Sequence, residues 1–448
     1  MSFALTNKLR LCCLLLFAFV LAYTLVRDSR IERQYTSDLR NRIVGSRLQA
    51  AGIMPYSYKW QKGDDLRYFI PNKPDSVTIT TVTASPFLHD IMYPISSLSH
   101  RTISIIWFYA TYFMFLAMVA IAIYFTWSTK PFFLVLLISG LFLFTDAWLK
   151  NIAAGQFYTL IPFLLTLFYV CFTKKSWALF FAGLFAIMVV LIRPTCCFIF
   201  LPFLVYLFTM NKREIVTFFL PIVLLFSLIL INKNERSFWV DYANSLQEQV
   251  DLHHNQRPLE KKYVQSFRNL QYPDWEGWNK ADIEKSTALY GYEIKSRNGN
   301  FFSFYEMILH KKIPVSVLNF LSLGSIAIIF LVFLYQQYHV KQQPSVLLLS
   351  LFGFGLYMIS EFLSPIHRHH YNAVLWLFPL LLLAINYKSQ WQWLMLILLL
   401  SLVININAFT WVALPHVVGE YLMWIVLVII CFKEFNQLNR TKSKVEFC

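Results

Sequence analysis

Residues Ile103–Trp127, ISIIWFYATYFMFLAMVAIAIYFTW, decide the fold. No charged side chain interrupts the stretch, and a helix built from it is apolar on every face, so its surroundings must be apolar on every side. At about 1.5 Å of rise per residue it exceeds the ~20 residues needed to cross the hydrocarbon of a bilayer. Similar blocks lie on both sides of it. Leu11–Val26 comes first, after Lys8 and Arg10, with no small-x-small cleavage pattern behind it, and reads as a retained span. Then follow Phe132–Leu149, Phe157–Phe172, Trp177–Ile192, Thr195–Met210 and Ile215–Ile231. After a polar interval come Val315–Tyr335, Ser345–Leu363, Ala373–Tyr387, Trp391–Leu414 and Val418–Phe432. The expectation is an all-α polytopic membrane protein with about 12 transmembrane helices.

Composition agrees. Hydrophobic residues are 57% of the 448 and charged residues 14%, too few charges to keep so much apolar surface soluble. The net charge of +15 would point to nucleic acid in a soluble chain. Here Lys and Arg fall between the apolar blocks, which assigns them to topology and anionic lipid instead. Cys12, Cys13, Cys171, Cys196, Cys197 and Cys431 lie in or beside apolar segments with no metal-ligand spacing and read as small hydrophobes.

Threading the spans from a cytoplasmic N-terminus places Lys130, Lys174-Lys175, Lys212-Arg213, Lys341 and Lys388 in the short cytoplasmic turns, as the positive-inside rule requires. Both termini are then cytoplasmic, in a cell (inner) membrane. Two long polar segments, 27–102 and 232–312, fall outside as extracytoplasmic loops of a single membrane domain. Within the first, Asp38 to Ala51 reads as an interfacial helix on the outer leaflet, started by Ser37 or Asp38 and closed by Gly52 and Pro55. In that reading Leu39, Ile43 and Leu48 face lipid or protein, and Arg40, Arg42 and Arg47 face phosphate or water.

Ionisable groups in or beside spans are costly and mark function. Asp146, Lys150, Asn151 and Gln156 gather at the outer end of the third block. Arg193 precedes Pro194, Glu361 ends the ninth, Glu420 begins the last, and Ser364-Pro365-Ile366-His367-Arg368-His369-His370-Tyr371 is the densest polar cluster. By this threading all face outward. Asp146 and Lys150 also read as an i,i+4 pair at the headgroups, and Arg193 as a snorkelling anchor. Adjacent histidines in one turn rarely point at one ion, so no metal site is expected.

The ordered set Asp38-Leu39 with Gly52, Pro55 and Tyr56, then Ser85-Pro86-Phe87 and Pro94, Asn151 with Gly155-Gln156, Arg193-Pro194, and Ser364-Pro365 with His369-His370 resembles the glycosyltransferase 87 family. Those are polyprenol-phosphate-mannose-dependent α-mannosyltransferases of the GT-C fold. The resemblance implies transfer of a hexose, mannose-like, from a polyprenyl-phosphate carrier to a glycolipid or glycan acceptor on the outer face, with no cofactor and no metal. It makes Asp38 the general base that takes the acceptor's proton. Arg193, Arg368, His369, His370, Lys150 and Gln156 become the groups for donor phosphate and substrate. His367-Arg368 departs from the family pattern, so both His369 and His370 stand for the family histidine. Asp64, Asp65 and Asp90 stand as rivals to Asp38. The rival functions are a lipid-linked-sugar flippase or transporter, and a ligase or polymerase of lipid-linked glycans.

Overall fold

A computed structural model describes residues 3–32, 36–60, 63–70, 82–208, 210–255, 276–278, 299–340, 344–366, 368–406 and 414–445. Among these the protein is all-helical, with no β-strand. The first part runs α1 (Phe3–Glu32), α2 (Ser37–Ala50), α3 (Pro86–Met92), α4 (His100–Thr126), α5 (Pro131–Phe142), α6 (Asp146–Ala154), α7 (Leu160–Lys174) and α8 (Ala178–Ile192). It continues with α9 (Cys197–Phe200), α10 (Lys212–Ile231), α11 (Lys233–Asn255), α12 (Phe301–Leu309) and α13 (Val315–Val340). The last part is α14 (Val346–Phe362), α15 (Leu377–Ile385), α16 (Gln392–Ile406) and α17 (Leu414–Val445).

Among the described residues, four stretches are long and apolar enough to cross a membrane: Asn7–Arg30, His100–Thr126, Lys212–Ile231 and Val315–Tyr338. The bent pair α5–α6 makes a fifth if it is one span, and six apolar helices of 10–17 residues pack among them. Their burial separates periphery from centre. On α1, Leu11, Leu15, Leu16 and Phe19 are exposed, as are Val223, Leu228 and Ile231 on α10 and Phe320, Ile328 and Leu331 on α13. Water would be a poor solvent for such faces, at about 25 cal/mol per Å² of apolar surface. By contrast α14 is buried along almost its whole length, and Leu377–Ala384 of α15 are buried on every side. The protein is membrane-embedded, with α14 and α15 at its centre, α15 packing on α5 and α14 on α9 and α17.

Two of the expected continuous spans are interrupted. Phe132–Leu149 bends by 55° where α5 gives way to α6. The reason lies in Thr145, whose hydroxyl accepts from the Trp148 amide at 3.2 Å and starts a new helix. Residues 194–208 run as a 3₁₀ turn, the four-residue α9 and a second 3₁₀ stretch rather than as one α-helix. Breaks of this kind survive at membrane depth where protein covers the freed backbone groups.

Close approach needs glycine at Gly183. A Cβ there would lie 1.9 Å from the Phe218 carbonyl oxygen, so α8 and α10 meet backbone to backbone. Of the second polar segment, 233–255, 276–278 and 299–309 are described; 256–275 and 279–298, like 71–81 of the first and His367, lie outside the described residues.

The helix expected at 38–51 is present as α2, but it does not lie on a lipid surface. Leu39, Ile43, Val44 and Leu48 are buried, and so are Arg40, Arg42 and Arg47. The arginines meet protein instead of phosphate or water. Arg40 donates to the carbonyls of Leu66, Arg67 and Phe69, and Arg47 to those of Arg67, Ser96 and Leu98. Both also hold Glu276 of the second polar segment, Arg40 at 3.2 Å and Arg47 at 2.9 Å. The His100 amide donates to the same carboxylate at 2.8 Å, and Arg101 lies 4.5 Å over the Trp278 ring. The two polar segments are thereby fastened to one another across the start of α4.

Candidate functional site

The site is built around the turn Gly155-Gln156-Phe157-Tyr158. Gly155 ends α6 in the left-handed region, at φ 61°, and a Cβ there would lie 2.7 Å from Leu39 Cβ. Only glycine satisfies both conditions, the backbone angle and the contact with α2. The Gln156 amide then donates to the Asn151 carbonyl at 2.9 Å, and its carbonyl accepts from Trp107 Nε1 at 3.0 Å. The backbone of this residue is fixed from both sides.

The Gln156 side chain points at α2. Its Nε2 donates to Asp38 Oδ2, and its Oε1 accepts from Arg42 Nη2 at 2.5 Å. Arg42 lies 5.1 Å over the Phe157 ring, and a further donation from Nη1 goes to the Asp38 carbonyl one turn before it. Asp38 itself is half-buried. The Phe157 and Tyr158 rings stack at 4.8 Å, and the Tyr158 hydroxyl accepts from Arg193 Nη1 at 2.6 Å. Gln156 and Tyr158 are two residues apart, at most about 7 Å between their Cα atoms. Asp38 and Arg193, 155 positions apart in sequence, are therefore held by neighbouring side chains of one turn.

Beyond Arg193 the charges alternate. Arg193 Nη2 reaches Glu361 at 2.6 Å, Arg368 Nη1 reaches the same carboxylate at 2.8 Å, and Arg368 Nη2 reaches Glu420 at 2.7 Å. Glu420 also accepts from Trp376 Nε1 at 3.0 Å. Asn300 closes this end: its side-chain NH₂ donates to the carbonyls of Glu361, Ser364 and Ile366, and its oxygen accepts from the Arg368 amide. The Arg368 guanidinium is 1% exposed and engaged by two carboxylates, an arrangement that fixes helix ends. Arg193 differs. Its side chain is 21% exposed, and its Nε has no hydrogen-bond partner among the described residues.

The histidines take separate places. His369 stacks on Tyr371 at 5.0 Å, and Tyr371 stacks on Tyr158 at 5.4 Å, so His369 joins the aromatic row beside Arg193. His370 is buried against α6, with Nδ1 2.7 Å from Asp146 Oδ2. Asp146 thus has a partner across the bundle besides the Lys150 expected one turn on. Lys150 is half-buried on the same helix. Among the described residues, no group of three or more His, Cys, Asp or Glu side chains comes together in a way that could hold a metal ion.

The rival carboxylates lie elsewhere. Asp64 and Asp65 are exposed; Asp64 accepts from the Tyr58 hydroxyl at 2.8 Å, and Asp65 caps the 3₁₀ turn 66–68 through the Arg67 amide. Asp90 accepts from Gln49 Nε2 at 2.6 Å. Desolvation first and the charge of Glu235 second push it up to about 7, against the Gln49 hydrogen bond. Gln49 stands eleven residues along α2 from Asp38, about 16 Å at helical rise. Of these four, Asp38 alone is bonded to the turn that holds Arg193.

Several residues of this region were not singled out as site residues from sequence, among them Tyr158, Asn300, Arg42 and Asp28. Arg42 was read as one of three solvated arginines, although its i,i+4 spacing from Asp38 is a signal that the two share a helix face. Asp28, fully buried near the end of α1, accepts from Tyr112 at 2.6 Å and Trp148 at 2.8 Å, and pins α1 to the α5–α6 break. Nothing in its sequence neighbourhood indicates those partners. Comparisons with protein-family models, with curated proteins and with solved structures give no match to this chain.

Proposed function

We propose that the protein is an integral-membrane hexosyltransferase of the GT-C type, similar to the glycosyltransferase 87 family. In this reading about twelve helical segments cross or enter the membrane, both termini are cytoplasmic, and the α2–α6–α8 end faces outward. The substrates are a polyprenyl-phospho-hexose, mannose-like, and a glycolipid or glycan acceptor. The observation that carries the reading is the joining of Asp38 to Arg193 through Gln156 and Tyr158: a carboxylate and a part-exposed arginine side chain at one turn.

Glycosyl transfer from a phosphate carrier needs just those two poles. The acceptor hydroxyl attacks the anomeric carbon, and its proton passes to the Asp38 carboxylate as the new C–O bond forms. The bond from the anomeric carbon to the phosphate oxygen breaks with its electron pair, and the polyprenyl phosphate leaves with one more negative charge. Arg193 meets that charge through its open edge, helped by Lys150 and by the His369–His370 segment. Arg368 acts at one remove: it holds Glu361, and Glu361 holds Arg193.

A carrier for lipid-linked sugar is the second reading, favoured by the 55° break between α5 and α6, since carriers bind at discontinuous helices. One experiment separates the two. The purified protein is reconstituted in vesicles with polyprenyl-phospho-mannose and extracted lipid acceptors, and products are weighed by mass spectrometry. The wild-type protein forms a hexosylated acceptor, and Asp38→Asn lowers its rate by about 10²–10⁴ while donor binding persists. Undiminished transfer in Asp38→Asn removes Asp38 as the base. Donor movement across the bilayer with no product establishes the carrier.

A further inference from the structure

The pairing Arg42–Gln156–Asp38 has a direction built into it. A guanidinium has donors and no acceptor, so the Gln156 oxygen must face Arg42. The amide NH₂ is then turned toward Asp38, where a carboxylate oxygen accepts it. Arg42 is 6% exposed, and no carboxylate lies within 4 Å of it among the described residues; its hydrogen-bond acceptors are the neutral Gln156 amide and the Asp38 carbonyl. A buried cation without an ion pair is costly, and the cost falls here beside the carboxylate of Asp38. Its field reaches His89 as well, which burial first and Arg42 second pull down to about 3, so that no second cation stands beside it.

We propose that Arg42 and Gln156 are positioning residues, a two-step relay that orients the Asp38 carboxylate and keeps it an unprotonated acceptor. This rests on Asp38 as the base, yet it can be tested with no substrate. Carboxyls react with carbodiimide and an amine nucleophile in their protonated form, and the tryptic peptide 34–40 carries Asp38 as its one carboxyl side chain. Labelling of the full-length protein in nanodiscs, followed across pH by mass spectrometry, gives the midpoint at which Asp38 gains its proton.

Gln156→Glu keeps the shape and places a second carboxylate against Asp38. The relay requires the Asp38 midpoint to rise by about one pH unit or more, because two carboxylates at one site cannot both stay ionised. Arg42→Gln raises it as well, and Arg42→Lys, which keeps a donor and a charge, stays near the wild type. The other charged groups are Arg40 and Arg47 of α2 itself and, on the elements packed against it, Arg67 of the 3₁₀ turn 66–68, His89 and Asp90 of α3, His100 and Arg101 of α4, and Asp146 and Lys150 of α6. They are the same in every variant, so the comparison isolates the relay. An unchanged midpoint in folded Gln156→Glu, or in Arg42→Gln should Gln156→Glu not fold, overturns the proposal. A shifted midpoint in a protein that transfers no sugar upholds the relay and removes the glycosyltransferase reading instead.

Discussion

Replacing Glu276 by alanine removes the one carboxylate that Arg40 and Arg47 share. Their side chains are 0% and 3% exposed, so the variant takes a carboxylate away from two buried guanidinium groups. Breaking a buried pair by deleting one partner costs about 3–5 kcal/mol. Both arginines keep backbone carbonyls as partners, and the Glu276 side chain is itself 12% exposed, which places the loss at the low end, about 3 kcal/mol. At about 1.4 kcal/mol per tenfold, the opening of α2 from its seat becomes about a hundredfold more frequent. Hydrogen exchange by mass spectrometry on the protein in nanodiscs reads this directly, as a fall of that size in the protection of the α2 amides at pH 7. The helices α14 and α15, remote from Glu276, are expected to stay unchanged.

The same contact has a pH signature. Burial alone would raise the Glu276 carboxyl, but the charge of Arg40, the hydrogen bond and charge of Arg47 and the His100 amide outweigh it and hold it below the ordinary carboxylate range. Its contribution is therefore fully present above the unfolded value of about 4.3 and is lost as pH falls through the lower folded value. Protection of α2 in the wild type is flat from neutrality down to about pH 5 and drops below about pH 4, and Glu276→Gln flattens that drop. Wild-type protection of α2 in Glu276→Ala would refute the reasoning, since the clamp would then carry no free energy.

Three other outcomes follow from the packing. Arg368→Met takes away the buried cation that bridges Glu361 and Glu420, leaving Glu361 with Arg193, and lowers stability by about 3 kcal/mol, seen as loss of monodisperse protein, and Arg368→Met with Glu420→Leu recovers part of it. Gly155→Ala strains a positive φ and drives a methyl into Leu39; purified protein should show increased exchange in α2 and at least tenfold lower transfer. Single cysteines at Lys174 and at Asp64 should react with a membrane-impermeant maleimide from opposite sides; labelling of both from one side would discard the threading behind the proposed function.

Much of this was legible from residue order. Ile103–Trp127 and Val315–Tyr335 had to be helices in lipid, because every face is apolar and the length suffices, and helices of nearly those bounds are present. Helix α2 was legible too, one residue from its expected start. Its environment was not: three arginines on a short helix look solvated until the carbonyls of 66–69 and 96–98 and the carboxylate of Glu276 are brought around Arg40 and Arg47, and Gln156 against Arg42. The α5–α6 break was readable in principle from Thr145-Asp146, an N-cap followed by an acid, but the apolar run on both sides hid it.

Sequence by itself determined that this is a membrane-embedded helical protein and which polar residues stand near helix ends. Both follow from local chemistry, since hydropathy and capping depend on a residue and its near neighbours. Tertiary structure decided which of those polar groups meet: Asp38 with Gln156, Arg193 with Tyr158, Arg368 with Glu361 and Glu420. The physical reason is that an ion pair or hydrogen bond depends on distance in space, and these partners, up to 118 positions apart in the chain, are brought together only by helix packing.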